Sequence, residues 1–99
     1  MYKSSQLSVY TDQGNYAELE QVTVTIHAQK NDLPAANEQI RLAVIRPNGK
    51  RTFTTTLHTD IYGIAITVFR LSPKDGSGSY SVEAHTKDGS MGLTSFLVI

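Results

Sequence analysis

The 99-residue sequence has no cysteine and no tryptophan. Without a thiol there is no disulfide framework, no thiolate metal site and no cysteine nucleophile, so stability in an oxidising compartment would have to come from packing alone. A charge of one sign is missing too. Nine basic and nine acidic residues leave no formal net charge, and they are scattered singly along the chain. Nothing masses into a stripe that could neutralise a run of phosphates, so nucleic acid is not expected as a partner. No apolar run approaches the roughly 20 residues of a membrane-spanning helix, and the stretch MYKSSQLSVY lacks the apolar core of a signal peptide. The length fits one domain, residues 1–99, that does not insert into a membrane and reads as a mature segment excised from a longer multidomain protein.

What the sequence does have is alternation. Apolar and polar residues alternate through most of the chain, with β-branched residues and tyrosine frequent and Gly, Asn, Asp and Pro falling between the runs. That is strand and turn punctuation, with no convincing amphipathic helix. Strands are predicted over residues 6–10, 21–29, 39–46, 51–58, 63–71, 79–87 and 92–98, a spacing that gives an all-β, seven-stranded antiparallel sandwich of the immunoglobulin-like, fibronectin-type class.

Asn48-Gly49 is the sharpest local signal, because this pair readily takes the two positive φ angles of a type I′ hairpin turn. Counting outward from it sets Val44 opposite Phe53, Leu42 opposite Thr55 and Ile40 opposite Leu57, so one face of the hairpin is apolar in register. The third and fourth strands then share a sheet, and the expected sheets contain strands 1, 2, 5 and 7, 6, 3, 4. The inward set comprises Val22, Val24, Ile26, Ile40, Leu42, Val44, Phe53, Leu57, Tyr80, Val82, Ala84, Phe96 and Val98. The fifth strand is ambiguous, since Ile64, Ile66 and Val68 compete with Ala65, Thr67, Phe69 and Leu71 for the core. Tyr80 follows the loop Lys74-Asp75-Gly76-Ser77-Gly78 at the start of a strand, where a tyrosine corner would bury the ring and send the hydroxyl back to the loop backbone.

A first strand followed by Thr11-Asp12 and Tyr16, then Val22-Thr23-Val24-Thr25-Ile26, Arg46-Pro47-Asn48-Gly49-Lys50, Thr59-Asp60 with Gly63, Gly78-Ser79-Tyr80-Ser81-Val82 and Ser95-Phe96-Leu97-Val98 form a pattern that covers nearly the whole chain. It resembles the macroglobulin MG2-like and bacterial immunoglobulin-like repeat domains, and it also fits the transthyretin-like modules of surface proteins. The resemblance implies a β-sandwich spacer or adhesive module of a multidomain secreted, periplasmic or cell-surface protein, without enzymatic activity as an isolated unit. One departure stands out. These repeats often carry a Gly-Glu pair before the second strand, and here Ala17-Glu18-Leu19-Glu20 lacks the glycine.

Catalytic constellations are not apparent. The strand phases send His27 outward on one sheet and His58 and His85 outward on the other, no serine sits in a nucleophile elbow, and Asp60 and Asp88 read as turn aspartates. No enzyme activity, cofactor or metal is expected. The loops after the second, fourth and sixth strands share one end with the N-terminus, and there Asp60, Ile61 and Tyr62 are candidates for interaction: a turn does not need two large apolar residues, which would either seat a partner or fold back over the end of the core. Ile45, Leu93 and Leu97 are further candidates, phased outward on the sheet of strands 7, 6, 3 and 4 around the polar Ser81 and Glu83. Asn48, Gly49 and Tyr80 are assigned structural roles. Two functions from different classes follow: a structural spacer or adhesion module that contacts neighbouring domains, or a ligand- or carbohydrate-binding accessory module of a secreted enzyme, with Tyr62 or Tyr10 as a stacking platform.

Overall fold

The computed structural model describes residues 5–99; the first four residues of the N-terminal stretch read above for a leader lie outside the described residues. Nine strands are found among them: β1 (Ser5–Thr11), β2 (Asn15–Tyr16), β3 (Gln21–Lys30), β4 (Leu33–Pro34), β5 (Gln39–Ile45), β6 (Arg51–His58), β7 (Ile64–Arg70), β8 (Gly78–Thr86) and β9 (Met91–Val98). In one sheet β3 pairs with β1 on one flank and with β4 and β7 on the other; the second sheet runs β2-β9-β8-β5-β6. The seven long strands therefore fall into the two expected sheets, and β2 and β4 are two-residue additions too short to carry a periodic signal. The result is an immunoglobulin-like sandwich.

The core follows the alternation. Val22, Val24, Ile26, Ile40, Leu42, Val44, Tyr80, Val82, Ala84, Phe96 and Val98 are buried, and Phe53 and Leu57 pack partly buried against them. Leu7, Val9, Tyr16, Ala28, Ala35, Ala65, Phe69 and Leu71 complete the core. In β7 it is Ala65 and Phe69 that point inward, so Ile66 and Val68 face solvent. Phe69 decides this, since its ring stacks on Phe53 across the sandwich at 5.1 Å between centroids and fills volume that Ile66 could not.

The β5–β6 register is the expected one from Ile40↔Leu57 to Val44↔Phe53, but the turn differs. Gly49 N–H donates to the Arg46 carbonyl and Arg46 N–H to the Lys50 carbonyl; Gly49 has φ 87°, while Asn48 is not among the positive-φ residues. This is a longer, glycine-terminated turn that starts at Arg46, and it shifts the register between Val44 and Ile45. Pro47 explains it, because its ring fixes a φ suited to the second position of a turn over residues 46–49. Two positive φ angles in succession occur instead at Asn31 (53°) and Asp32 (65°), where the two-residue connection between Lys30 and Leu33 joins β3 to β4.

Candidate functional site

Strand directions collect the β3–β4, β6–β7 and β8–β9 turns at the end where β1 begins. Below the rim, Thr59 is the one buried polar residue among those described. Its hydroxyl donates to the Ala35 carbonyl (2.5 Å) and accepts from Glu38 N–H (2.8 Å), and its backbone bonds Asn37 and Glu38, so the connection leading to β5 is pinned to the end of β6.

The chain then crosses between sheets in one tight turn over residues 60–63. Gly63 N–H donates to the Asp60 carbonyl, and the Asp60 carboxylate accepts from the N–H groups of Tyr62 (2.8 Å) and Ile64 (3.0 Å). Gly63 has φ 77°, and a Cβ there would meet the Ala28 carbonyl oxygen at 2.4 Å and the Ala35 nitrogen at 3.1 Å; only glycine fits. Its own carbonyl accepts from Ala28 N–H, which ties the turn to β3. Asp60 thus closes the turn, and the turn holds Ile61 and Tyr62 outward at 74% and 64% exposure. Leu33, on the adjoining β4 whose Pro34 Cα lies 3.4 Å from that Gly63 Cβ position, is 67% exposed. None of the three folds back over the core.

The third turn is polar. The Asp88 carboxylate accepts from the Thr86 hydroxyl, from Ser90 N–H and from the Ser5 hydroxyl, and these bonds hold its carboxyl well below the usual range. Asp60 and Asp88 each serve their own turn, and among the described residues no group of three or more His, Asp or Glu side chains is placed to hold a metal ion. His85 lies opposite Arg41 and 3.6 Å from Glu83, while His58 lies opposite Gln39.

The other candidates do not join this end. Leu93 (60% exposed) stands opposite Glu83, and Leu97 (42%) stands opposite Ser79 and beside Asn15 of β2. Ile45 is not exposed as the strand phase implies. It is half-buried, because the register shift beside it disturbs the outward position. Polar residues separate these side chains, so they do not make one patch. Tyr10 is exposed on the outer face of the other sheet, opposite Thr25, and neither Tyr10 nor Tyr62 is in ring contact with another aromatic among the described residues.

At the opposite end two tyrosines hold the loops. Tyr80 is fully buried, stacks on Phe96 at 5.2 Å and donates to the Gly76 carbonyl at 2.6 Å. Tyr16, which the sequence pattern did not place in the core, is 1% exposed; its hydroxyl donates to Asp12 Oδ1 and accepts from Gln13 N–H (2.9 Å). Burial, followed by the neighbouring Asp12, pushes the Tyr16 phenol up to about 12. Its one sequence signal was the Asp-x-x-x-Tyr spacing of Asp12 and Tyr16, which places donor and acceptor across a short turn.

An immunoglobulin-like sandwich with an apolar turn at its N-terminal end and tyrosine-locked loops at the other defines the class. Residues 6–98 match the model of the MG2 domain, and the chain belongs to that family. Among solved structures, the chain is similar to Escherichia coli alpha-2-macroglobulin activated by porcine elastase (TM-score 0.84, 22% identity, 96% of this chain and 8% of that chain). It is also similar to the Yersinia pseudotuberculosis adhesin InvE (0.68, 21%, 95% and 32%) and to the CARDB domain of a Pyrococcus furiosus protein (0.62, 10%, 99% and 96%). The chain thus spans a small part of the macroglobulin and about a third of the adhesin. No curated protein sequence matches it. Among the described residues no helix is long and apolar enough to cross a membrane.

Proposed function

We propose that this chain is a non-catalytic module of a secreted, periplasmic or cell-surface multidomain protein, and that it works by docking its N-terminal end on the domain that precedes it. The observation that carries the reading is the turn over residues 60–63. Asp60 and Gly63 fix its backbone, and two large apolar side chains are held in solvent where a turn alone would use polar residues. Leu33 widens the same apolar rim. A preorganised apolar tip loses little conformational freedom when a partner covers it, which favours a small interdomain contact. Membership of a family of domains found within much larger chains supports the modular role.

The test is an amide chemical-shift titration of the labelled chain with the preceding domain of its parent protein. Shifts are expected at Leu33, Ile61, Tyr62 and Gly63, and the Ile61→Ser, Tyr62→Ser double variant should lose them while keeping its fold. A response confined to other surfaces, or none, refutes the docking assignment.

A further inference from the structure

The sandwich has several strand edges, and they differ in how they are protected. β1 runs over β9 so closely that a Cβ at Gly92 would lie 2.8 Å from the Leu7 carbonyl oxygen and 2.7 Å from a Val9 methyl. β2 has two residues, and β4 has two and ends in Pro34, which offers no N–H. β6 begins with the charged Arg51 at the register shift against β5, and its outward side chains Thr54, Thr56 and His58 are polar. Charges, proline, shortness and irregular pairing are the usual devices that stop an edge from recruiting another strand.

β7 has only one of them, the charged Arg70 at its end. It pairs only with β3, and from residue 65 to residue 70 no backbone bond of the described residues runs to its other flank. From Ile64 to Phe69 it carries no charge, proline or glycine, and Ile-Ala-Ile-Thr-Val-Phe combines high β-propensity with apolarity. Its outward side chains Ile66 and Val68 are 59% and 45% exposed, and Thr25 and Tyr10 extend the row of Ile66 across the sheet.

We propose that β7 is a lateral association edge that pairs antiparallel with β7 of a second copy of this chain. The segment is self-complementary about Thr67. With Thr67 opposite its counterpart, Ile66 of each copy meets Val68 of the other on one face, and Arg70 falls opposite Ile64, so no like charges meet. A charged strand would find no counter-charge between Ile64 and Phe69, which favours a copy of this uncharged strand as the occupant. The two sheets would join into one continuous sheet about a two-fold axis. One strand edge buries well below the roughly 1,600 Å² of a standard interface, so the dimer is weak and concentration-dependent. Pairing at the flank leaves the apolar turn over residues 60–63 free.

Sedimentation velocity of the 99-residue chain between about 10 μM and about 1 mM tests this. A reversible monomer–dimer equilibrium is expected, with amide exchange at residues 65–69 slowing as the dimer forms. Ile66→Lys alters an exposed side chain and puts a charge on the edge; it should leave the melting midpoint in place and weaken the dimer about tenfold or more. Ile61→Ser should leave the dimer intact. A monomer throughout the range, a dimer that survives Ile66→Lys, or one lost with Ile61→Ser overturns the proposal.

Discussion

The two ends of the sandwich use polar groups differently. At the end that carries the C-terminus, side chains lock separate loops onto one another and onto the strands of the sandwich. Tyr80 reaches the Gly76 carbonyl, Tyr16 closes the loop after β1 through Asp12 and Gln13, and Asp75 receives both Arg46 (3.3 Å) and the Thr52 hydroxyl (2.7 Å). Pro47 packs where a Cβ on Gly78 would lie 2.9 Å away. At the N-terminal end the tie sits lower, at Thr59, and the rim turn spends its one carboxylate on its own backbone. The first arrangement rigidifies the loops as a set and, among the described residues, leaves only the buried Arg46 Nε without a partner. The second fixes its turns through their own carboxylates, with one tie from Asp88 to Ser5, and presents Ile61 and Tyr62 to solvent. A docking role fits the second, because Ile61 and Tyr62 can be covered while the Asp60 carboxylate keeps its bonds to its own turn.

The largest effect is expected where the N-terminal turn meets β3. Gly63→Val places a β-branched residue at φ 77° with its Cβ 2.4 Å from a backbone oxygen, and should cost at least about 3 kcal/mol in denaturant unfolding. Gly49→Val, at φ 87° but with nothing within 4 Å, should cost about 1 kcal/mol. Equal losses would mean that the tie to β3 does not hold the turn.

At the other end, Tyr16→Phe removes a hydroxyl that both donates and accepts and should cost about 1–2 kcal/mol, while Tyr80→Phe, with one bond, should cost about 1 kcal/mol. The pH profile sharpens this. A phenol pushed from 10.0 to about 12 on folding holds its proton more tightly in the native state. Its stabilisation is complete below pH 10 and is lost as the pH rises through 12. Wild type should therefore lose stability across that window, and Tyr16→Phe should lose less.

The smallest stability effect concerns Leu19. It sits at φ 67° just before β3, and it is 56% exposed. A non-glycine residue in the left-handed region costs about 1 kcal/mol, so Leu19→Gly should raise stability by up to about that amount. The Arg70 contact is to the Leu19 carbonyl and survives the change.

Much of this fold was legible because one face of each long strand is buried and side chains alternate with period two. Ile40, Leu42 and Val44 fixed a register that the β5–β6 ladder keeps. Three features were not legible for definite reasons. β7 has large apolar residues in both phases, and only the facing rings of Phe53 and Phe96 select Phe69. The turn at Asn48-Gly49 was misread because Pro47 constrains the preceding position more strongly than Asn-Gly prefers two positive φ angles. Tyr16 sits in a two-residue strand parallel to β9, a nonlocal pairing that no local pattern announces. At the candidate site the sequence pointed to Asp60, Ile61 and Tyr62 by their chemistry; it missed the exposed Leu33, whose neighbour Pro34 lies beside Gly63.

The most direct test of the docking account is a comparison of unfolding free energies for this domain alone and joined to the domain that precedes it in its parent protein. The account predicts that the joined domain is more stable by about 1–3 kcal/mol and that Tyr62→Ser removes most of the increment while changing the isolated domain by less than about 0.5 kcal/mol. Identical stability alone and joined, or an increment that Tyr62→Ser leaves untouched, would contradict it.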